Sequence, residues 1–254
     1  SEQPVLAWLY RMGFFILIGG FTGKLAHLLN RRLDQVEASM VELERAYART
    51  LRTFANMLGH HDEETKGHCE RVAHNARLVG RDLGLDEVAV GELYWAGVLH
   101  DLGKVGVPTA ILLKPGRLSE DEFDLVRAHA DLGARILLEA SDRFAGIAAG
   151  VRSHHERWDG TGYPSNLSGA DIPLYGRILA VVDVFEALTS SRPYRGPLAP
   201  EEALAYLHRE ASHHFDPEVV EVFAAAFSRD EILVSGDALP AETPLLRLDR
   251  HAAA

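Results

Sequence analysis

With 254 residues, 47% of them hydrophobic, the chain can build one large domain or one domain with an extension, and it can fill a sizeable core. A net charge of −11 excludes a duplex nucleic-acid binder, which needs a basic face, so a phosphate-bearing ligand must meet cations supplied locally. The single Cys69 excludes an intramolecular disulfide, no cleavable signal peptide is evident, and the start at Ser1 without Met fits a trimmed or partial chain.

Residues 5–23 are apolar apart from Arg11, and the run from Met12 to Gly23 is uninterrupted. That run is too short to span a bilayer, and the longer stretch is only just long enough, with Arg11 inside it. Lys24, Arg31 and Arg32 follow at once, which would leave the rest of the chain on the cytoplasmic side. Two readings stay open for 1–24: a membrane-proximal end, or a helix packed on a partner chain or an upstream domain.

Residues 25–60 read as one helix. Its apolar positions Leu29, Leu33, Val36, Met40, Leu43, Tyr47, Leu51, Phe54 and Leu58 are spaced 4,3,4,3,4,4,3,4. This is a heptad seam with one extra four-residue step at Tyr47–Leu51, a stutter. It predicts a coiled-coil signalling helix that pairs with a second copy of the chain through residues 25–58. The competing reading is an amphipathic helix lying on its own domain.

From 61 to 230 the pattern is helix after helix, so the fold class is all-α. Leu83-Gly84-Leu85-Asp86 ends one helix and opens another, and Ser119 with Glu122 fits a capping box before Phe123, Val126 and Ala130. Pro108, Pro115-Gly116 and the stretch from Pro164 to Pro173 mark loops. The β-branched run Ile178 to Val184 cannot be assigned to helix or strand by period. Residues 231–254, rich in Pro, Gly, Ala and Thr, read as a mobile tail.

Chemistry-bearing residues recur along these helices. Glu64 and His68, four apart, share a helix face. His100-Asp101 closes the apolar run Trp95 to Leu99, with Lys104 one turn on, and His129 lies on the next helix. His154-His155 leads into a glycine-rich turn ending Gly162-Tyr163-Pro164, and Asp183 sits among Val and Phe, where an ionised carboxylate needs a partner or a metal. Five imidazoles and three carboxylates without a thiolate suit Fe or Mn better than structural Zn. His27, His60, His61, His74, His208, His213, His214 and His251 match no ligand spacing and are expected to be solvated or capping.

The segment from about Asp62 to Phe227 resembles the HD-GYP family of cyclic di-GMP phosphodiesterases, within the HD hydrolase superfamily. The resemblance rests on Asp62-Glu63-Glu64-Thr65-Lys66-Gly67-His68 with Arg71, on His100 to Pro108, on His154 to Pro164, and on Asp183 to Arg195. It implies an HD-type helical bundle whose metal ions are held by His68, His100, Asp101, His129, His154, His155 and Asp183, with Asp101 bridging two of them. Glu64 stands where members with a third metal have Glu, so two or three divalent ions, Fe or Mn, are implied. Lys104 would contact a substrate phosphate, the loop of Gly162, Tyr163 and Pro164 would flank a guanine, and Arg192 and Arg195 would pair with phosphate or base. Glu186 departs from the Asp usual in the family, with an arm long enough to reach a neighbour of the ligands. The implied activity is hydrolysis of cyclic di-GMP to linear pGpG, with pGpG or GMP left open as the final product, in a cytoplasmic domain anchored at the inner membrane face if 1–24 is embedded. A catalytically silent cyclic di-GMP sensor and another HD-superfamily nucleotide phosphohydrolase are the alternatives.

Overall fold

A computed structural model describes residues 3–59, 67–191 and 196–239. Among them the regular elements are helical: α1 (Gln3–Gly59), α2 (His68–Asp82), α3 (Glu87–Leu99), α4 (Thr109–Leu112), α5 (Glu120–Ala140), α6 (Ala145–Ser153), α7 (Leu174–Thr189), α8 (Pro200–Arg209) and α9 (Pro217–Ser228). The chain divides into two units, Ser1–Tyr47 and Ala48–Ala254.

The first unit is the long arm of α1. Its early apolar side chains, Trp8, Phe14, Phe15, Leu17 and Phe21 among them, are exposed, and so are the seam positions Leu29, Leu33, Val36, Met40, Leu43 and Tyr47. In the second unit the last turns of α1 behave differently. Ala48 and Ala55 are buried, and Leu51 packs against the domain core. After the four-residue step at Tyr47–Leu51, Leu51 of the seam packs on its own domain. Leu58 and the seam's Phe54 differ in what is described: Phe54 is exposed, while the Leu58 side chain lies outside the described residues.

Caps and turns set the helix order of the second unit. The Asp86 side chain accepts from Ala89 N at 2.8 Å and starts α3, after a turn in which Leu85 N donates to Gly80 O at 3.0 Å. Ser119 N donates to Glu122 at 2.8 Å while Glu122 N donates to Ser119 Oγ at 3.3 Å, the reciprocal capping box expected for α5. The ambiguous run Ile178 to Val184 is helical. Ile178, Leu179, Val181, Val182 and Phe185 of α7 are all fully buried, and a helix covered on every side shows no apolar stripe. Around α7 the core is filled by Trp95, Phe215, Phe223, Leu93, Leu99 and Ile147.

Packing continues past residue 230. Ile232 is buried, and Asn75 holds Leu233 by two bonds of 2.9 Å, one to its carbonyl and one from its amide. Of the expected tail, 240–254 lies outside the described residues.

Candidate metal centre and substrate loop

The helix ends bring the ligands together. His68 opens α2, His100 caps α3, and Asp101 follows it into the 3-10 turn Leu102–Gly106; His129 lies inside α5, His154 caps α6 with His155 next, and Asp183 is on α7. The donor atoms of His68, His100 and Asp101 all lie within 4.8 Å of one another, and so do those of His129, His154 and His155. Asp101 faces both groups, with Oδ2 at 3.1 Å from His100 Nε2 and Oδ1 at 3.4 Å from His129 Nε2. Asp183 Oδ1 closes the first group at 3.4 Å from His68 Nε2 and 3.8 Å from His100 Nε2. His154 Nε2 is 3.5 Å from His129 Nε2.

Gly103 lets these groups approach. A Cβ built there would stand 1.9 Å from the His129 carbonyl and 2.6 Å from Gly133 N, so only glycine allows the 3-10 turn to press on α5. That contact holds Asp101 beside His129.

Four of the five imidazoles are aimed by their far nitrogen. Nδ1 of His100, His129 and His154 faces the carbonyl three residues back, of Gly97 at 2.8 Å, of Val126, and of Val151 at 2.6 Å. Only a protonated Nδ1 can donate there, which leaves Nε2 as a lone pair pointing inward. His68 Nδ1 is held in the same way by the carboxylate of Glu186. Burial, then the neighbouring His129, pushes the His155 imidazole down to about 3, and burial with the adjacent His155 holds His154 well below its usual range. For Asp101, burial alone would raise the carboxyl, but Lys104, with Nζ 2.8 Å away, and His100 outweigh it and hold it well below the carboxylate range. Imidazole nitrogens converging with carboxylate oxygens are the donor set of a divalent ion, and these residues fit one.

Glu186 is buried behind His68. It accepts from Arg71 Nε at 3.0 Å and Ser190 Oγ at 2.8 Å as well as from Arg71 Nη2 and His68. Burial pushes its carboxyl up, yet the bonds from His68 and Arg71 prevail and bring it to about 2. The extra methylene relative to Asp therefore spans the gap to both groups.

The turn after His155 is folded back on itself. Buried Glu156 accepts from Ser165 N at 2.7 Å and Leu167 N at 3.1 Å, and Tyr163 N donates to His155 O at 3.2 Å. A Cβ on Gly162 would lie 2.3 Å from Arg157 N, so the fold-back excludes any larger residue. From the other side, the carbonyls of His214 and His213 accept from Trp158 N at 3.0 Å and Asp159 N at 2.9 Å. The His214 ring, expected to be solvated, instead stacks on Phe215 at 4.1 Å, and burial and then Arg157 lower it to about 4. The result places the Tyr163 ring on His155, stacked at 4.8 Å, with Pro164 next along the loop.

Of the site residues expected from sequence, Glu64, Arg192 and Arg195 lie outside the described residues. The others gather around Asp101 and the Tyr163 loop. Sequence reasoning did not assign roles to Glu156, which clamps the loop, or to Phe123 and Arg127 on α5. The Arg127 guanidinium carbon lies 4.3 Å from the Phe123 ring centre and 5.8 Å from that of Tyr163. Their spacing of four residues was the available signal, but it is also that of any surface pair on a helix.

Comparison with known proteins bears on this arrangement. Residues 52–219 match the HD domain family. The cyclic di-GMP phosphodiesterase response regulator RpfG of Xanthomonas campestris pv. campestris is 43% identical over 185 residues, covering 72% of this chain and 49% of that protein. A cyclic di-GMP phosphodiesterase of Thermotoga maritima is 42% identical over 170 residues, covering 66% of this chain and 46% of that one. The chain thus spans about half the length of these relatives. In fold it is similar to a crystal structure of a cyclic GMP-AMP specific phosphodiesterase of V. cholerae, with a TM-score of 0.59 at 21% identity over 73% of this chain and 49% of that one. Since the match from 52 to 219 takes in more than half of the 254 residues, the chain belongs to the HD domain family, in its HD-GYP branch.

Proposed function

We propose that the domain is a metal-dependent phosphodiesterase that hydrolyses cyclic di-GMP to linear pGpG, with pGpG or GMP the final product, lowering the level of this messenger. The observation that carries this reading is Asp101, whose two oxygens face two separate histidine groups beside a loop that presents Tyr163. The names of the two relatives support the substrate.

Two or three divalent ions, Fe or Mn, would be held by His68, His100, Asp101, His129, His154, His155 and Asp183, with Glu64 the ligand of the third. When bound, such ions supply Lewis acidity toward phosphate oxygens and lower the pKa of water. The chain's own part is to keep His129, His154 and His155 neutral and Asp101 ionised. Lys104, now paired with Asp101 at 2.8 Å, is the cation that can turn to a substrate phosphate. Arg192 and Arg195 would add charge for phosphate or base, and Gly162, Tyr163 and Pro164 would flank the guanine. In an acidic chain these few cations make the local field that draws the substrate in.

The test is anaerobic purification followed by elemental analysis and chromatography of the products. More than two ions per chain are expected, with Glu64→Gln losing one and keeping two. Asp101→Ala should abolish hydrolysis, and turnover near the parent's rate in that variant would overturn the reading.

The same proposal extends to α1. Pairing of residues 25–58 with a second copy is supported by the exposed seam from Leu29 to Tyr47. Membrane association through residues 5–23, with the catalytic domain on the cytoplasmic side, is supported by a helix long and apolar enough near its start to cross a bilayer.

A further inference from the structure

Phe123 and Arg127 are one turn apart on α5 and lie against the Tyr163 ring. The Phe123 and Tyr163 rings meet edge to face at 6.4 Å, and Tyr163 stacks on His155 at 4.8 Å. A row of flat groups therefore runs outward from the candidate metal centre: imidazole, phenol, phenyl and guanidinium. Neither outer member serves the core, since the Arg127 side chain is 41% exposed and Phe123 36%. An arginine lying on a phenylalanine of its own helix is commonly a small surface stabiliser. Here a third ring completes the group, and it comes from a loop whose place is fixed independently by Glu156.

The guanidinium is only partly used. Asp124 accepts from Nη1 at 2.9 Å, and Nε is buried with no hydrogen-bond partner among the described residues. Among the described residues nothing accepts from Nη2, and with the second Nη1 hydrogen it leaves a two-nitrogen fork. Asp124 also bears on what can approach, because its carboxylate repels a charged phosphate more strongly than the edge of a neutral base. Exposed aromatic faces are platforms for bases.

We propose that Phe123 and Arg127 extend the substrate loop into a guanine subsite, with the base packed at the corner of Tyr163 and Phe123 and its O6 and N7 read by Arg127. This rests on the cyclic di-GMP reading given above. Guanine offers two acceptors on that edge, where adenine offers one acceptor and an amino group, so a forked donor favours guanine and disfavours adenine. Arg127 is then the residue that sets base preference, and Phe123 supplies stacking that any base can use.

The experiment uses the metal-loaded chain with bis(p-nitrophenyl) phosphate, a phosphodiester without bases, as reporter substrate. Cyclic di-GMP and cyclic di-AMP compete against it in the parent and in Arg127→Lys, Arg127→Ala and Phe123→Leu. The ratio of the two inhibition constants should fall about tenfold in both Arg127 variants, the scale of one lost forked base contact, because lysine keeps the charge and loses the fork. Phe123→Leu should weaken both competitors alike and leave the ratio. A ratio that Arg127→Lys preserves while Arg127→Ala does not would make the contact one of charge alone and overturn the proposal. A ratio moved by neither variant would return Arg127 to a surface pair and overturn it too. A parent that cleaves the reporter but is inhibited by neither dinucleotide would overturn the substrate reading itself, a different and recognisable failure.

Discussion

Glu186 shows how one side chain can set the state of several others. Its carboxylate serves His68, Arg71 and Ser190 at once in a buried place. Glu186→Gln removes the charge that pairs with buried Arg71 across this contact, and breaking a buried pair costs about 3–5 kcal/mol. Urea unfolding at neutral pH should show a loss of that size, together with weaker metal binding through a misaimed His68. His214 gives a prediction in pH. Its folded value of about 4 lies below the ordinary 6.5, so the unfolded chain takes up the proton first as pH falls. The stability it contributes is complete above 6.5 and is lost as pH falls from 6.5 toward 4. The drop in melting temperature between pH 7 and pH 5 should therefore be smaller in His214→Gln than in the parent. At this scale the sequence exposed the residues whose type is costly without a use, such as Asp183 among Val and Phe. It hid those whose use comes from loop closure. Nothing local marks Glu156 as the acceptor for Ser165 and Leu167, or Arg127 as the neighbour of Tyr163.

Two substitutions on or against α5 should separate support from aim. Ser119→Ala removes the cap and should cost about 1 kcal/mol, read by thermal or urea unfolding, with metal affinity retained. Gly103→Ala drives a methyl group against the His129 carbonyl and must move the 3-10 turn that carries Asp101. It should lower metal affinity, measured by competition with a chelator, beyond what its loss of stability explains. Helix starts were legible because caps are local chemistry: Asp86 and Ser119 act within three residues of themselves. The interior of α7 was not, because burial on all sides erases the very period by which a helix is recognised.

For the whole molecule, the exposed seam predicts self-association. The parent should sediment as a dimer at micromolar concentration, and Leu43→Asp should shift it toward monomer with every candidate ligand untouched; a monomeric parent would make the seam solvent-facing decoration. The change of step at Tyr47–Leu51 could be read from sequence, but what lay on either side of it could not, since a spacing pattern records periodicity and not its partner. The candidate ligands raise a further expectation. They are contributed by α2, α3, α5, α6 and α7, and by the turn after α3, so ions held there act as a crosslink between segments distant in the chain. Anything that binds only the folded state raises its melting temperature by mass action. Two ways of silencing the protein should then leave opposite marks in a melting experiment. A chelator strips the crosslink and lowers the transition, whereas a nucleotide that occupies the same site raises it.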